Sequence, residues 1–195
     1  MIGYLKGALA EKQPPRLTLD VHGVGYEIEA PMSTFYSLPA IGEPLTLLTH
    51  LSIREDAHVL YGFATAAERN LFRNLIRVNG VGPKLALTIL SGISVEGFTR
   101  CVEMRDGAAL TRLPGVGKKT AERLIVEMRD RLDTAPGAGA TPGTLAAHPA
   151  DEAQSALIAL GYKPQEAAAM IRAVGGDDLG AEEIIRRALK QAVRA

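Results

Sequence analysis

The stretches that decide the fold are NGVGPKLALTIL at residues 79–90 and PGVGKKTAERLI at residues 114–125. The second stretch repeats the first 35 positions further along the chain, and an apolar residue, Val78 or Leu113, directly precedes each. A tight turn between two helices needs residues that tolerate positive φ and close backbone approach, and glycine at the first and third turn positions meets both needs. We therefore predict two helical hairpins in tandem, each with its central valine packed between the helices.

The start of the second helix in each hairpin is the expected site of phosphate binding. Its first backbone N–H groups have no intrahelical partner and lie at the positive end of the helix dipole, which favours anions. Lys84 follows the first turn, and Lys118 and Lys119 follow the second. This is the pattern of the helix-hairpin-helix, and two copies can hold both backbones across a minor groove. Such binding is independent of base sequence and sensitive to salt.

The alternative is that both hairpins are purely structural turns with solvated lysines. A third Gly-Val-Gly, at residues 23–25, illustrates this case, because it lies between two predicted strands and no basic residue follows it. We interpret that copy as a turn between strands. The repetition of the basic version favours DNA binding for the other two.

Residues 1–64 are predicted to form a small β-barrel. Leu17, Leu19 and Val21 alternate with polar neighbours, as expected for a half-buried strand. The later runs 45–53 and 58–63 flank a polar tip that begins at Arg54. Five strands and a short helix near residues 33–38 fit an OB-type Greek-key barrel. An SH3-like barrel would give a similar pattern.

Residues 65–133 are predicted to be helical. Thr65 and Glu68 have the spacing of a capping box, which marks a helix start. Gly92 is a candidate helix stop, and Ser94 is a candidate N-cap for the next helix. The expected later helices span residues 83–91, 95–104, 107–112 and 118–132.

Residues 134–149 contain mostly Pro, Gly, Ala and Thr, and they are expected to form a flexible linker, because they offer little surface to bury. Residues 150–195 regain a helical period and are predicted to form a bundle of three short helices. Gly161 and Gly175-Gly176 separate these helices, and Pro164 suits a first helical turn.

The composition excludes several classes of protein. The net charge is zero, but residues 65–133 carry twelve basic against eight acidic residues, whereas residues 1–64 carry four against seven. Phosphate contacts are therefore expected in the middle of the chain first. The single cysteine, Cys101, excludes an internal disulfide, and the four histidines show no metal-ligand spacing. No signal peptide or membrane span is visible, so cytoplasmic location is expected.

Two other functions remain open from the residues alone. A helix-hairpin-helix glycosylase or nuclease would need a catalytic carboxylate cluster, and Glu55-Asp56 is the only pair of adjacent acidic residues in residues 1–133. A general single-strand binder would use stacking aromatic residues, which make up only 5% of the chain. No Walker A pattern is present, because Lys119 occupies the position of its Ser or Thr. We predict neither catalytic residues nor a metal site.

The whole chain outside the linker resembles the bacterial RuvA family, whose members bind Holliday junctions. The resemblance rests on MIGYLKG, EKQPP, GVGYE, THLSIREDAHVLYGF, NGVGPKLALTIL, LPGVGKKTAERLIVEM and ALIALGYKPQEA. It implies an α+β protein of several domains: an N-terminal OB-type barrel, a central all-α tandem helix-hairpin-helix domain, a linker and a C-terminal three-helix bundle of UBA-like type.

The resemblance also implies the residues that contact DNA. Those of the two hairpins are Gly80, Val81, Gly82, Lys84, Gly115, Val116, Gly117, Lys118, Lys119 and Thr120. Glu55 and Asp56 match the acidic pin of the family, and Arg54 beside them is expected to contact a phosphate. Carboxylates next to phosphates would disfavour a continuous duplex through the junction centre.

The implied assembly is a homotetramer that holds a four-way junction open, with one or two tetramers on each junction. The C-terminal bundle is expected to dock a RuvB-type hexameric ATPase, and a RuvC-type resolvase is a further candidate partner. ATP and Mg²⁺ would be used by the ATPase, so no cofactor is expected in this chain. Candidate docking residues, with no distinction between core and surface, are Leu157, Leu160, Tyr162 and Met170.

Overall fold

The computed structural model describes residues 1–55, 57–133, 149–175 and 179–192. The chain divides into two compact units, Met1–Ala135 and Pro136–Ala195. The first unit contains a closed barrel and the tandem hairpins, and the second contains a helical bundle. The sequence predicts a boundary at residue 64 inside the first unit, but barrel and hairpins share one unit.

The barrel has five strands: β1 (Tyr4–Gln13), β2 (Arg16–Val21), β3 (Val24–Glu29), β4 (Pro44–Ile53) and β5 (His58–Phe63). They close in the order β1-β2-β3-β5-β4. β1 pairs with β4 through its first half and with β2 through its second, with a bulge after Leu9. β3 and β5 meet in parallel, at Glu29 and Tyr61. This closed five-stranded order is the predicted OB-type barrel rather than an SH3-like one.

Alternation along the strands places one set of side chains inside the barrel. Leu9, Leu17, Leu19, Ile28 and Leu47 are at most 1% exposed. The predicted turn between β2 and β3 is present, but at residues 22–23 rather than 23–25, because Val24 and Gly25 already belong to β3. His22 and Gly23 have φ of 55° and 86°, and Asp20 Oδ1 accepts a hydrogen bond from the Gly23 amide at 2.7 Å. Two central residues with positive φ match the right-handed twist of a hairpin.

The helices of the first unit are α1 (Met32–Tyr36), α2 (Ala66–Leu75), α3 (Pro83–Gly92), α4 (Val95–Glu103), α5 (Gly107–Leu110) and α6 (Lys118–Asp133). The capping box at Thr65 and Glu68 and the Ser94 N-cap are both present. Gly92 is not the stop that the sequence predicts, because it is the last helical residue and the extended backbone of Ile93 ends α3.

Two other helix ends differ from the prediction. α1 lies slightly before the expected 33–38 and is shorter. α5 ends at Leu110 rather than at residue 112 because Arg112 and Leu113 donate to carbonyls three residues back, at Ala109 and Leu110. Such bonds tighten the last turn of a helix.

The hydrophobic core of the helices extends onto β5 of the barrel and is shared by both, whereas the barrel interior forms a second core. Phe72 of α2 is fully buried, and its ring lies 4.9 Å from the ring of Tyr61 and 4.9 Å from that of Phe63, both on β5. The same cluster extends through Leu87, Phe98 and the later helices of the unit. This shared core explains why residue 64 does not separate two compact units.

The second unit contains α7 (Pro149–Ala159), α8 (Pro164–Val174) and α9 (Ala181–Ala192). Leu157, Ala167 and Ala188, one from each helix, form its buried centre. The predicted three-helix bundle is therefore present, although α7 includes Pro149, which the sequence assigns to the linker. Pro164 is the first residue of α8, as predicted. The remaining linker residues, 134–148, lie outside the described residues.

Within the described ranges, no single helix has both the length and the apolar composition needed to cross a membrane. Only α3 and α4 taken together, bent by 97° between them, meet those criteria.

Candidate nucleic-acid interface

The two hairpins are copies of each other in their backbone hydrogen bonds. In the first, Val78 donates to Leu75 O, Val81 to Val78 O, and Ala86 to Gly82 O. In the second, Leu113 donates to Leu110 O, Val116 to Leu113 O, and Ala121 to Gly117 O. Each bond recurs 35 residues later, the same offset as in the sequence. The predicted repeat is therefore a repeat of structure.

The central valines support the hairpins from inside. Val81 and Val116 are 4% and 5% exposed and belong to the shared core of the first unit. Their amides are occupied by the bonds to Val78 O and Leu113 O. The sequence includes both valines among the DNA contacts, but the structure gives them neither an exposed side chain nor a free amide. They hold the turns in shape.

The glycines of each turn have two different roles. Gly80 and Gly115, at the first position, have φ of 85° and 80°, a conformation that costs an L-residue about 1–2 kcal/mol. Gly82, at the third position, has an ordinary φ of −86°, and Gly117 has no positive φ either. Of the two needs predicted for these glycines, positive φ is therefore met at the first position only.

No steric contact inside the protein requires glycine at the third position. A Cβ built on Gly82 or Gly117 would meet no atom within 4 Å, and both residues are exposed. Without a Cβ, the surface at the start of the helix is open to close approach from outside. This is the property that the phosphate-binding prediction requires.

The two helix starts offer unequal sets of donors. Gly117, Lys118, Lys119 and Thr120 provide the four first amides of α6, which by helix geometry have no intrahelical acceptor. In α3 the matching positions are Gly82, Pro83, Lys84 and Leu85, and Pro83 has neither an N–H nor a positive charge. Lys84, Lys118 and Lys119 are exposed, and no ion pair involves them in the part of the chain that the structure describes.

The two hairpins also contact each other reciprocally. Arg123 of α6 donates from Nη1 to Asn79 O at 2.8 Å, in the turn of the first hairpin. Leu85 of α3 lies against the turn of the second, where its Cδ1 would be 3.1 Å from a Cβ on Gly115. No pattern in the sequence predicts this contact of Arg123. When the two repeats are aligned, Arg123 corresponds to the uncharged Thr88. This difference is the only signal in the sequence, and it does not reveal that the side chain of Arg123 contacts the first turn.

The polar tip of the barrel lies between β4 and β5. Arg54 and Glu55 are exposed there, and the Arg54 amide donates to Ala57 O at 2.9 Å, which closes the turn. Asp56, the second residue of the predicted acidic pin, lies outside the described residues. No hydrogen bond or ion pair recorded for Arg54 or Glu55 joins the tip to the hairpins.

The four candidate docking residues of the second unit separate into core and surface. Leu157 is fully buried at the centre of the bundle, so the structure makes it a core residue rather than a contact residue. Tyr162 and Met170 are partly buried against that centre. Leu160 is 60% exposed. Of the four, Leu160 presents most apolar surface.

Two chemical features of the described residues bear on the enzymatic alternatives. Among them, no group of three or more His, Cys, Asp or Glu side chains could hold a metal ion. Burial, and then the nearby charge of Asp106, raise the pKa of the Cys101 thiol above its ordinary value of 9.0. The thiolate, which is the nucleophilic form, is therefore disfavoured at neutral pH.

Comparison with family models assigns nearly the whole chain. Residues 1–62 match the RuvA N terminal domain, residues 72–130 match the SAM-like helix-hairpin-helix tandem, and residues 149–193 match the RuvA C-terminal domain. These three matches correspond to the barrel, the tandem hairpins and the bundle.

Full-length relatives agree with the domain matches. The chain is 60% identical over 201 residues to the Holliday junction branch migration complex subunit RuvA of Methylococcus capsulatus, with 100% of both chains covered. It is 58% identical over 202 residues to the subunit of the same name from Pseudomonas aeruginosa, covering 97% of this chain and 98% of that one. It is 59% identical to that of Alkalilimnicola ehrlichii over the full length of both. With its barrel, paired hairpins and bundle in the same order, the chain belongs to the RuvA family.

Proposed function

We propose that this chain binds four-way DNA junctions through its tandem hairpins and serves as the DNA-binding subunit of a branch-migration complex. The observation that carries the proposal is the pair of glycines, Gly82 and Gly117, whose missing Cβ leaves both helix starts open to close approach from outside. Each begins a helix whose first amides are unpaired and whose lysines are exposed. Two such sites on one protomer suit the two phosphate backbones of one duplex arm.

The binding should not depend on base sequence. The amides and lysines at the helix starts bind phosphates, and phosphates carry no direct information about the base sequence. The contacting groups that we propose are the backbone and side chains around Gly80, Gly82 and Lys84 and those from Gly115 to Thr120. Selectivity for a junction then has to come from the geometry of several arms and from the barrel tip.

The barrel tip supplies the second element of the proposal. Glu55, with Asp56 beside it in the sequence, carries negative charge toward DNA, and Arg54 offers a cation next to it. Carboxylates near phosphates at the crossover would repel a continuous duplex and favour separated strands. This arrangement is useful only if several protomers surround one junction, so we propose a homotetramer, with one or two tetramers on each junction.

We further propose that the chain itself is non-catalytic and works with a partner motor. The bundle at residues 149–192 would dock a RuvB-type hexameric ATPase, with the exposed Leu160 as its first candidate contact, and that partner would use ATP and Mg²⁺. A RuvC-type resolvase would act on the same junction. We propose a cytoplasmic location, where the chromosome of a bacterium lies.

A competition gel shift at physiological salt tests the central proposal. A labelled synthetic four-way junction competes with linear duplexes that have the same arm sequences. We expect a strong preference for the junction, kept when the arm sequences are scrambled. Equal affinity for both would reduce the protein to a general duplex binder. Cutting of the junction in the presence of a divalent metal would instead support a nuclease.

The salt dependence of binding tests the phosphate sites separately. The affinity should fall linearly on a log–log plot against salt, with a slope proportional to the number of phosphates neutralised. Replacing Lys118 and Lys119 by alanine should reduce that slope by about 1.8 per protomer, at about 0.9 for each lost contact. Lys190→Ala, in the second unit, is the matched control and should leave the slope unchanged.

A further inference from the structure

Glu68 is a buried carboxylate in the first turn of α2, and it is only 8% exposed. Oε1 accepts a hydrogen bond from Ser33 Oγ at 2.5 Å. Oε2 accepts from Thr34 Oγ1 at 3.3 Å, from the Thr65 amide at 3.2 Å and from Thr65 Oγ1 at 3.4 Å. A buried carboxylate is costly unless it is hydrogen-bonded, and here both oxygens have partners.

The partners of Glu68 come from two different parts of the first unit. Ser33 and Thr34 are on α1, the short helix inserted between β3 and β4 of the barrel. Thr65 is the N-cap of α2, the first helix of the tandem hairpins. Thr34 Oγ1 also accepts from the Ala64 amide at 3.1 Å. The carboxylate therefore bridges the barrel and the hairpins at the point where the chain passes from one to the other.

Helix capping alone does not require these contacts. A capping box needs only the exchange between Thr65 and Glu68, both of which are local in the sequence. The caps of α4 and α5, Ser94 and Asp106, accept only from amides three residues ahead in their own helices. Glu68 differs from them because half of its hydrogen bonds reach the barrel.

We propose that Glu68 is a positioning residue that fixes the orientation of the tandem hairpins relative to the barrel and thereby sets the preference for a four-way junction over linear duplex. This inference rests on the proposed function. A linear duplex needs only the hairpins, so a change of their orientation leaves its binding intact. A junction has to meet the hairpins and the barrel tip at Arg54 and Glu55 together, so it depends on preorganisation of the two.

Other contacts also connect the barrel with the helices of the hairpins. They suggest a competing explanation, in which these contacts and not Glu68 fix the orientation. Phe72 packs on Tyr61 and Phe63 of the barrel, and the Met32 amide donates to Ser91 Oγ at 2.9 Å. Arg69 Nη1 donates to Gly3 O at 2.8 Å. If this packing fixes the orientation by itself, removing the carboxylate would lower stability and leave the preference for a junction unchanged.

The test compares four full-length variants with the wild type: Glu68→Ala, Glu68→Gln, Ser33→Ala and Ser94→Ala. The dissociation constants for a synthetic junction and for a matched linear duplex are measured at a temperature where circular dichroism shows each variant folded. For Glu68→Ala we expect the junction-to-duplex preference to fall about tenfold, with duplex affinity within about twofold of wild type. Ser94→Ala also removes a helix cap, but away from the barrel, and should keep the preference.

Glu68→Gln separates positioning from charge. Its amide oxygen can accept the bonds from Thr34 and Thr65, and the Ser33 hydroxyl can rotate to accept from the amide nitrogen. We therefore expect Gln to retain the wild-type preference, which a role in bulk electrostatics would not predict. Loss of the preference in Glu68→Gln as large as in Glu68→Ala would contradict positioning by hydrogen bonds.

The outcomes distinguish this inference from the proposed function. If the wild type itself shows no preference for a junction, the proposed function fails. If the wild type prefers the junction and folded Glu68→Ala does so equally, the positioning role is overturned. If Glu68→Ala does not fold, Ser33→Ala decides: it removes only the barrel side of the bridge, and we expect its preference to fall about threefold, whereas an unchanged preference overturns the role.

Discussion

Arg123 of the second hairpin holds the turn of the first, because its Nη1 donates to the Asn79 carbonyl at 2.8 Å. A Cβ on the neighbouring Gly80 would lie 3.4 Å from the same nitrogen. The first hairpin has fewer groups that can bind a phosphate than the second, because Pro83 stands where the second hairpin has Lys118 and so lacks both the backbone N–H and the positive charge. Arg123 therefore adds a positive charge beside the first hairpin and holds its turn in place through the hydrogen bond to Asn79 O.

Replacing Arg123 should weaken DNA binding mainly by loosening the first turn. Both Arg123→Ala and Arg123→Lys remove the guanidinium bond to Asn79 O, and we expect each to lower duplex affinity about fivefold. Fluorescence anisotropy with a labelled duplex measures the change. Arg129→Ala, an exposed arginine further along α6, is the control and should have little effect. Full affinity in Arg123→Lys would mean that an ammonium group can replace the guanidinium at this position.

The four hairpin glycines should divide into a stability pair and a binding pair. Gly80→Ala and Gly115→Ala place a side chain at φ near 80–85° and should cost about 1–2 kcal/mol of unfolding free energy each. Gly82→Ala and Gly117→Ala meet open space, so their cost should be limited to about 0.5–1 kcal/mol for exchanging a good N-cap residue for a poor one. Both should lower DNA affinity. Urea unfolding and anisotropy measure the two effects. If Gly82→Ala and Gly117→Ala both bind DNA normally, the phosphate sites lie elsewhere.

Neutralising the barrel tip should reduce discrimination against linear duplex. In the double variant Glu55→Gln, Asp56→Asn, the repulsion between carboxylates and phosphates disappears. Repulsion of about 1 kcal/mol in water corresponds to about a fivefold change, so we expect the junction-to-duplex preference to fall by about that factor. The competition gel shift measures it, and Glu43→Gln, exposed in the turn before β4, is the control. Unchanged junction selectivity together with unchanged branch migration would refute the pin.

The second unit should be dispensable for DNA binding but required for the motor. A chain ending at residue 134 should bind the junction with wild-type affinity and fail to stimulate a RuvB-type ATPase. Within the full chain, Leu160→Ser should impair stimulation while the bundle stays folded, because Leu160 is 60% exposed.

Leu157→Ser is the contrasting variant. Leu157 is fully buried, and loss of a buried leucine side chain costs about 2–5 kcal/mol, so it should unfold the bundle. Loss of junction binding in the truncated chain would contradict this division between the two units.

Acid should destabilise the first unit through His50. Burial, and then the charge of Arg73, lower the pKa of His50 below its ordinary value of 6.5. Folding therefore favours the neutral imidazole. The contribution of His50 to the free energy of unfolding is complete above pH 6.5 and is lost as the pH falls below that value, because the imidazole is then protonated more readily in the unfolded chain. His50→Gln should therefore reduce the loss of unfolding free energy between pH 7.5 and 5.5, as measured by urea unfolding. His58→Gln, exposed at the start of β5, is the control, and equal losses in wild type and His50→Gln would contradict the assignment.

Local patterns made most of the fold predictable. Alternation at Leu17 and Leu19 located a strand, the pair Thr65 and Glu68 located a helix start, and the repeated Gly-Val-Gly located both hairpins. Each of these signals depends on neighbours within a few residues, where backbone geometry is set by residue type. The same local reasoning failed at Gly92, because the extended conformation of the next residue ended the helix without a left-handed glycine.

The parts that the sequence did not reveal depend on long-range packing. The reach of Arg123 to Asn79 requires the crossing of two helices that no local pattern specifies. The burial of Val81 and Val116 could be anticipated, but not that their amides are occupied. Glu68 was visible as a helix cap, whereas its contacts with Ser33 and Thr34 arise only when α1 and α2 pack together.

The ring of Phe72 between Tyr61 and Phe63 has a consequence for how the first unit forms. Phe72, the largest side chain of α2, is buried against the last strand of the barrel and belongs to the same cluster as the buried side chains of the hairpins. In a chain that is still being synthesised, Tyr61 and Phe63 therefore lack this cover until α2 has emerged. Residues 1–133 should accordingly fold and unfold as one cooperative body, with a single calorimetric transition rather than one for each half.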